Sequence, residues 1–246
     1  MLADDHPSVF KGELEKGPPD NTSILAVVGF VERHLIDFSQ EYTGSTIENE
    51  EGLTQELIFL LNLYANKETY PFWFHNEYSE DTERGHSPKV DIGAITKKES
   101  IIIESRTYSY KESFFSLEAK RLDKLPKKRE KEYLIGRFEK KKYVNSGGVE
   151  RFKQGIHGGK LKYSAIIAYV QIYDFSHWHK KINSWIEALI QKKIESPVKW
   201  TQGDKLKKKY VKSVTAKFIS VNSRGKDSIT LFHLWTNLSS KKSELK

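Results

Sequence analysis

Three ionisable side chains stand inside two apolar runs of this sequence: Asp91 in KVDIGAI, and the pair Glu118 and Lys120 in FFSLEAKRL. Both runs have the β-branched and aromatic content of strands. A period of two puts Glu118 and Lys120 on one strand face. A lone carboxylate among apolar neighbours, as Asp91 is, costs free energy unless it is paired or binds a cation. If the two runs are neighbouring strands, two carboxylates and an ammonium converge on a small volume. The carboxylates repel each other, and a divalent cation relieves the repulsion. Oxygen ligands of this number suit Mg²⁺, with Mn²⁺ as a substitute; such an ion keeps several waters and also binds phosphate. The backbone carbonyl of Ala119, between Glu118 and Lys120, adds one more oxygen. The competing account is a structural ion-pair cluster that binds nothing.

Spacing alone is a weak signal, because Glu-x-Lys occurs three times, at Glu118, Glu139 and Glu244. Only the first ends a strand-like run with a strand-borne Asp upstream; Glu139 falls in a charged stretch that reads as helix, and Glu244 in the tail. Together with Pro88 in SPKVDIG, the set Asp91, Glu118 and Lys120 resembles the PD-(D/E)XK nuclease superfamily, the restriction-endonuclease-like fold. Lys89 and Val90 stand between Pro88 and Asp91, where the usual pattern has no insertion. The resemblance implies that Asp91, Glu118 and the Ala119 carbonyl hold the metal, while Lys120 orients or activates the attacking water and steadies charge on the phosphate. It also implies an α/β fold with a mixed central β-sheet flanked by helices, and a metal-dependent endonuclease acting on DNA in preference to RNA.

Further segments are similar to a bacterial and phage-defence branch of that superfamily. Gly148, Arg151, Phe152 and Gly155 in GGVERFKQGIHG fit one of its elements; Ser220, Arg224, His233 and Leu234 fit its closing hairpin, with Asn222 where the branch has a His. In related folds the helix before the first core strand often brings an extra acid to the metal. Glu56, flanking the Leu53/Leu57/Leu60/Leu61 stripe, is the expected one; the alternative is a first-turn carboxylate behind a Thr54 cap. Cutting two strands takes two sites, so a homodimer or a defence-complex partner is an expectation that no motif here carries. The rival to catalysis is an inactive nucleic-acid-binding or protein-interaction component on the same fold.

Charge is unevenly spread. Residues 1–60 carry twelve acidic against three basic side chains, a net of −9, whereas residues 120–163 carry fifteen basic against five acidic, a net of +10. Such clustering suits a polyanion, and nucleic acid is the commonest one. Lys127, Lys128 and Arg129 are expected on backbone phosphates, as are Arg151 and Gln154; a solvated lysine face is the bland alternative. The chain has no cysteine, which excludes disulfides and thiolate zinc sites and fits a reducing cytoplasm. No apolar run is long enough to span a bilayer, and the acidic, polar start is unlike a signal peptide.

The elements that must hold these residues follow from periodicity. Residues 1–20 read as a poorly ordered lead-in, and 21–240 as a single domain with its core roughly over 54–172. Helices are expected over 23–40 and from Leu53 to Asn66, and an extended aromatic segment over 69–78. A three-strand meander is expected in KVDIGAIT, SIIIESRTYS and SFFSLEAKRL. Basic helices follow over 126–144 and 147–158. YSAIIAYVQIY is the strand buried on both faces, SHWHKKINSWIEALIQKKI the clearest helix, and residues 212–238 a closing hairpin.

Overall fold

The protein is described by a computed structural model covering residues 22–43, 47, 49–80, 88–127, 129–140 and 142–239. The expected lead-in over 1–20, Lys128 and Glu244 lie outside the described residues. Helices α1 (Thr22–Tyr42) and α2 (Glu50–Lys67) precede strands β1 (Phe72–Ser79) and β2 (Lys89–Thr96). A small hairpin, β3 (Ser100–Ile103) and β4 (Arg106–Ser109), leads into β5 (Phe115–Leu122). A second hairpin, β6 (Arg137–Glu139) and β7 (Lys142–Val144), precedes α3 (Gly148–Lys153). Then come β8 (Tyr163–Val170), α4 (Phe175–Ile190), β9 (Lys207–Val211), β10 (Thr215–Ser223) and β11 (Ser228–Asn237).

Seven strands form one mixed sheet in the order β1-β2-β5-β8-β11-β10-β9. Its centre, β5-β8-β11, is parallel, and both margins are antiparallel. Alternation sorts each central strand between two apolar layers. Leu117 and Ala119 of β5, and Ala165, Ile167 and Tyr169 of β8, pack with α1 and α2. Leu122, Ile166, Ala168 and Val170 pack with α3 and α4 on the opposite face. This is why YSAIIAYV is apolar throughout: both of its faces are buried, as a central parallel strand requires. Among the described residues no helix is long and apolar enough to cross a membrane.

Two expectations are corrected. SIIIESRTYS is not a sheet strand but the separate β3–β4 hairpin, so β2 pairs directly with β5. Glu104 and Ser105 both take positive φ, 49° and 64°, and close a tight two-residue turn. The stretch 126–144 is not a helix. Its apolar residues Tyr133, Leu134 and Ile135 are consecutive rather than spaced by three or four, and all three are buried in one turn. Gly136 then starts the β6–β7 hairpin, where an added Cβ would run into the Val144 carbonyl.

The motif residues of the last hairpin turn out to be ties within the core. His233 is fully buried, with Tyr133 Oη at 2.7 Å from Nδ1 and Ser220 Oγ at 2.9 Å from Nε2. Burial pushes its imidazole down to about 3, so the ring is neutral. Arg224 donates to the carbonyls of Gly158 and Leu161, at 2.7 Å each, and pins the loop between α3 and β8.

A second tie fixes α3 itself. Lys153 Nζ lies 2.6 Å from Asp204 Oδ1 with both side chains fully buried, and Asp204 Oδ2 accepts the Thr201 N–H at 2.6 Å. Removing one partner of such a pair strands a buried charge, at a cost of about 3–5 kcal/mol. Lys153→Met should therefore lose that much in urea unfolding. Lys153→Met combined with Asp204→Leu should recover most of it; equal losses for single and double variants would show that packing, not charge, is at stake.

Candidate active site

The ladder between β2 and β5 runs from Ala94↔Phe115 to Ile92↔Leu117. Ile92 and Ala94 join the apolar layer under α1 and α2, so Asp91, one residue on, faces the other way with Glu118 and Lys120. There Asp91 Oδ2 accepts the Ala119 backbone N–H at 2.7 Å. A strand residue sends its N–H and C=O to the same edge, so the Ala119 carbonyl faces the gap beside Asp91. The structure thus brings together all three expected side chains and the expected carbonyl.

Glu118 is fully buried. Its Oε1 meets Lys120 Nζ at 3.0 Å and Arg151 Nη1 at 3.1 Å. Its Oε2 has no hydrogen-bond partner, and His157 Nε2 stands 3.4 Å away. Burial alone would raise the Glu118 carboxyl, but Lys120, the His157 ring and Arg151 together outweigh it and hold the group below the usual range. Lys120 shows the converse: burial disfavours its charge, yet Glu118, Glu50 and Asp91 together push its pKa up. Asp91 is raised to about 7, first by burial and then by the Glu118 charge, against the pull of Lys120. His157 is driven down to about 4, chiefly by burial, and stays neutral near pH 7.

Sequence reasoning missed three neighbours. Glu50, in the first turn of α2, places Oε1 at 3.2 Å from Lys120 Nζ and Oε2 at 2.8 Å from the Arg121 N–H. Helix α2 starts earlier than its leucine stripe suggests, because Asn49 caps it by accepting the Gly52 N–H. The segment IENEEG holds that cap signal. Glu80 bonds Ser116 Oγ and accepts the Gly158 N–H at 2.7 Å, and His157 Nδ1 lies 4.0 Å from it. Burial raises the Glu80 carboxyl. Gly158 has φ +58°, and a Cβ there would come within 2.9 Å of Ser164 Oγ. Nothing in the sequence marks Glu80 or His157.

Other expected residues lie elsewhere. Glu56 points to the Tyr42 hydroxyl, at 2.7 Å, and it is Glu50 that α2 delivers to Lys120. The Thr54 hydroxyl bonds back to the Glu50 carbonyl within the helix and does not cap it. Arg151 grips Glu118, and Gln154 is bonded to the Asn145 side chain. Arg129 pairs with Glu132 at 2.7 Å, and Lys127 lines a separate cleft under the β6–β7 hairpin. A cleft of about 150 Å³ opens beside the site, lined by Glu50, Lys120, Arg121 and Arg129 among others. Among the described residues no group of three or more His, Asp or Glu side chains stands at metal-ligand spacing. The oxygens available to a cation are those of Asp91, Glu118 and the Ala119 carbonyl.

An acid whose folded pKa exceeds its unfolded value binds more protons when folded. The contribution of Asp91 to stability is therefore present below pH 3.8 and lost as pH rises through about 7. Asp91→Asn removes that loss, so the variant should gain on wild type in urea unfolding as pH rises from about 4 to about 8. His157, with a depressed pKa, acts in the opposite sense, losing stability as pH falls from 6.5 through about 4, and is common to both proteins. A constant difference between the two proteins would mean that Asp91 titrates in the ordinary carboxylate range. No family model, curated protein or solved structure matches this chain, so the geometry of these side chains carries the functional argument.

Proposed function

We propose that the chain is a metal-dependent nuclease of the restriction-endonuclease-like type, hydrolysing phosphodiester bonds in DNA. The observation that carries this reading is the meeting of Asp91, Glu118 and Lys120 on one sheet face, where β2 and β5 part and beside an open cleft. The donor set fits a hard divalent cation that retains water: two carboxylates that repel each other, one with an unpartnered buried oxygen, and a backbone carbonyl. Asp91, Glu118 and the Ala119 carbonyl would hold it. Mg²⁺ or Mn²⁺ supplies, when bound, polarisation of the phosphate and a lowered pKa for a coordinated water.

The rest is done by the chain. Lys120 lines the cleft as a permanent cation and stabilises negative charge that grows on the phosphate oxygens during attack. Arg151 and Lys120 together fix Glu118 in one orientation. The basic segment 120–163 supplies sequence-independent attraction for the strand, which falls with salt. The place of such a protein in prokaryotic defence or restriction is part of the same reading and rests on the motif resemblance. A non-catalytic DNA-binding module is the second reading, favoured by one fact: Lys120 has a carboxylate on either side, Glu50 and Glu118.

Supercoiled plasmid with Mg²⁺ or Mn²⁺, with and without EDTA, separates the two. Wild type should nick or linearise it only with metal. Lys120→Ala should lower the cleavage rate about 10²–10³-fold, the usual cost of removing one charge-stabilising donor, and change gel-shift affinity far less. Binding without cutting would favour the second reading. Equal cleavage by wild type and Lys120→Ala would remove the first.

A further inference from the structure

On the β6–β7 hairpin, Phe138 is 57% exposed and faces its strand partner Tyr143, ring centroids 5.1 Å apart and edge to face. A single exposed aromatic is ordinary. This one lies on the wall of a cleft of about 380 Å³, with Lys127 and Lys131 on its border and Ile135 and Ile194 in its lining. Lys127, Lys140 and Lys142 are exposed and have no ion-pair partner among the described residues. From this, and resting on the nucleic-acid partner of the proposed function, we infer that the hairpin and its cleft take one unstacked nucleobase of a single strand. The base lies against Phe138, and its flanking phosphates lie on Lys127 and Lys131.

The chemistry selects this occupant. Phe138, Tyr143, Ile135 and Ile194 line the cleft with three cations, Lys127, Lys131 and Arg137, against one carboxylate, Glu195, which suits a flat, π-faced group carried on a polyanion. A stable protein–protein interface buries far more surface than a cleft lined by nine residues offers. The platform is also rigid. The Gly136 N–H donates to Glu150 Oε2 at 2.9 Å and to Tyr143 Oη at 3.1 Å, and Tyr143 Oη donates to the same Glu150 oxygen. Arg137 is held by Glu132, by Glu139 at 2.8 Å and by Ser146 at 3.2 Å. An ordered aromatic surface loses little freedom when a base stacks on it. Glu150, at the hairpin's root, immediately precedes Arg151, which grips Glu118 at 3.1 Å. The base platform and the carboxylate of the proposed cutting site therefore hang from one short helix.

The test uses the full chain in EDTA, so that no strand is cut, and a single-stranded DNA oligonucleotide carrying 2-aminopurine. Wild type should quench the fluorescent base on binding. Phe138→Ala should abolish the quench and weaken binding about ten-fold, the scale of one lost base–aromatic stack. Phe138→Trp, which keeps a larger stacking face, should restore both. Unchanged affinity and quench in Phe138→Ala would overturn the inference, as would wild type failing to bind the oligonucleotide. So would equally tight competition by an acidic peptide of the same charge. Failure of the nuclease reading is distinguishable: wild type would quench in this assay yet leave plasmid intact with Mg²⁺ and Mn²⁺.

Discussion

One buried ammonium organises this end of the sheet. Lys120 Nζ lies 3.0 Å from Glu118 and 3.2 Å from Glu50, and its charge also acts on Asp91. Without it, three carboxylates, one of them fully buried, would face each other, and their mutual repulsion would force protons onto some of them. With it, Glu118 stays ionised although fully buried, and Asp91 is left on the edge of titration near neutral pH. The arrangement spans three elements that are distant in sequence: the first turn of α2, the start of β2 and the end of β5. Placing the ammonium therefore also fixes how the helix layer sits against the sheet.

The geometry that allows this is a change of sense within the sheet. β2 runs antiparallel to β5, while β5, β8 and β11 run parallel. The β2–β5 ladder stops at Ile92↔Leu117, and the next polar group of β2 is a side chain, Asp91, bonding the backbone of Ala119 across the gap. β5 meanwhile continues along β8 as far as Leu122↔Val170. The half of β5 that carries Glu118 and Lys120 is thus held firmly by one neighbour and released by the other. The Ala119 carbonyl of β5 and the Asp91 side chain of β2 meet across that gap, and the fully buried Glu118 stands beside them on a strand paired along β8, the kind of rigid support that positions reactive groups.

Most of this was legible because strands buried on both faces leave little choice of residue. Asp91, Glu118 and Lys120 stood out as charges in runs that otherwise read as core, and their shared face followed from alternation. What the sequence hid has physical causes. Glu50 escapes the periodicity because the leucines of α2 start three residues later, whereas the helix starts at its Asn49 cap. The β3–β4 turn uses Glu104 and Ser105, which lack the Asn-Gly or Gly signal of such turns, so the segment reads as one ten-residue strand. The 126–144 stretch is rich in Lys, Glu and Arg, good helix formers, but local propensity lost to the burial of Tyr133, Leu134 and Ile135 in one turn. Glu80 and His157 reach Glu118 only through tertiary packing, and no spacing announces that.

Two buried ion pairs in the same molecule show what separates a structural tie from a site. Lys153–Asp204 is complete: a 2.6 Å contact, with the second carboxylate oxygen taken by the Thr201 N–H and hydroxyl. Its polar atoms are satisfied, and its work is to hold α3. The Asp91–Glu118–Lys120 group is larger and unfinished. Glu118 Oε2 and both ring nitrogens of His157 are buried without a hydrogen bond, and Asp91 is raised to about 7. A structural cluster left so would be a poor stabiliser, since apolar residues of similar volume usually serve as well as a buried ion pair or better. One carboxylate oxygen and two ring nitrogens without a hydrogen bond, beside a strongly perturbed acid, are costs that folding alone does not explain. They accord with the proposed cation and phosphate site, and Lys153–Asp204, a buried pair of the same chain, lacks them.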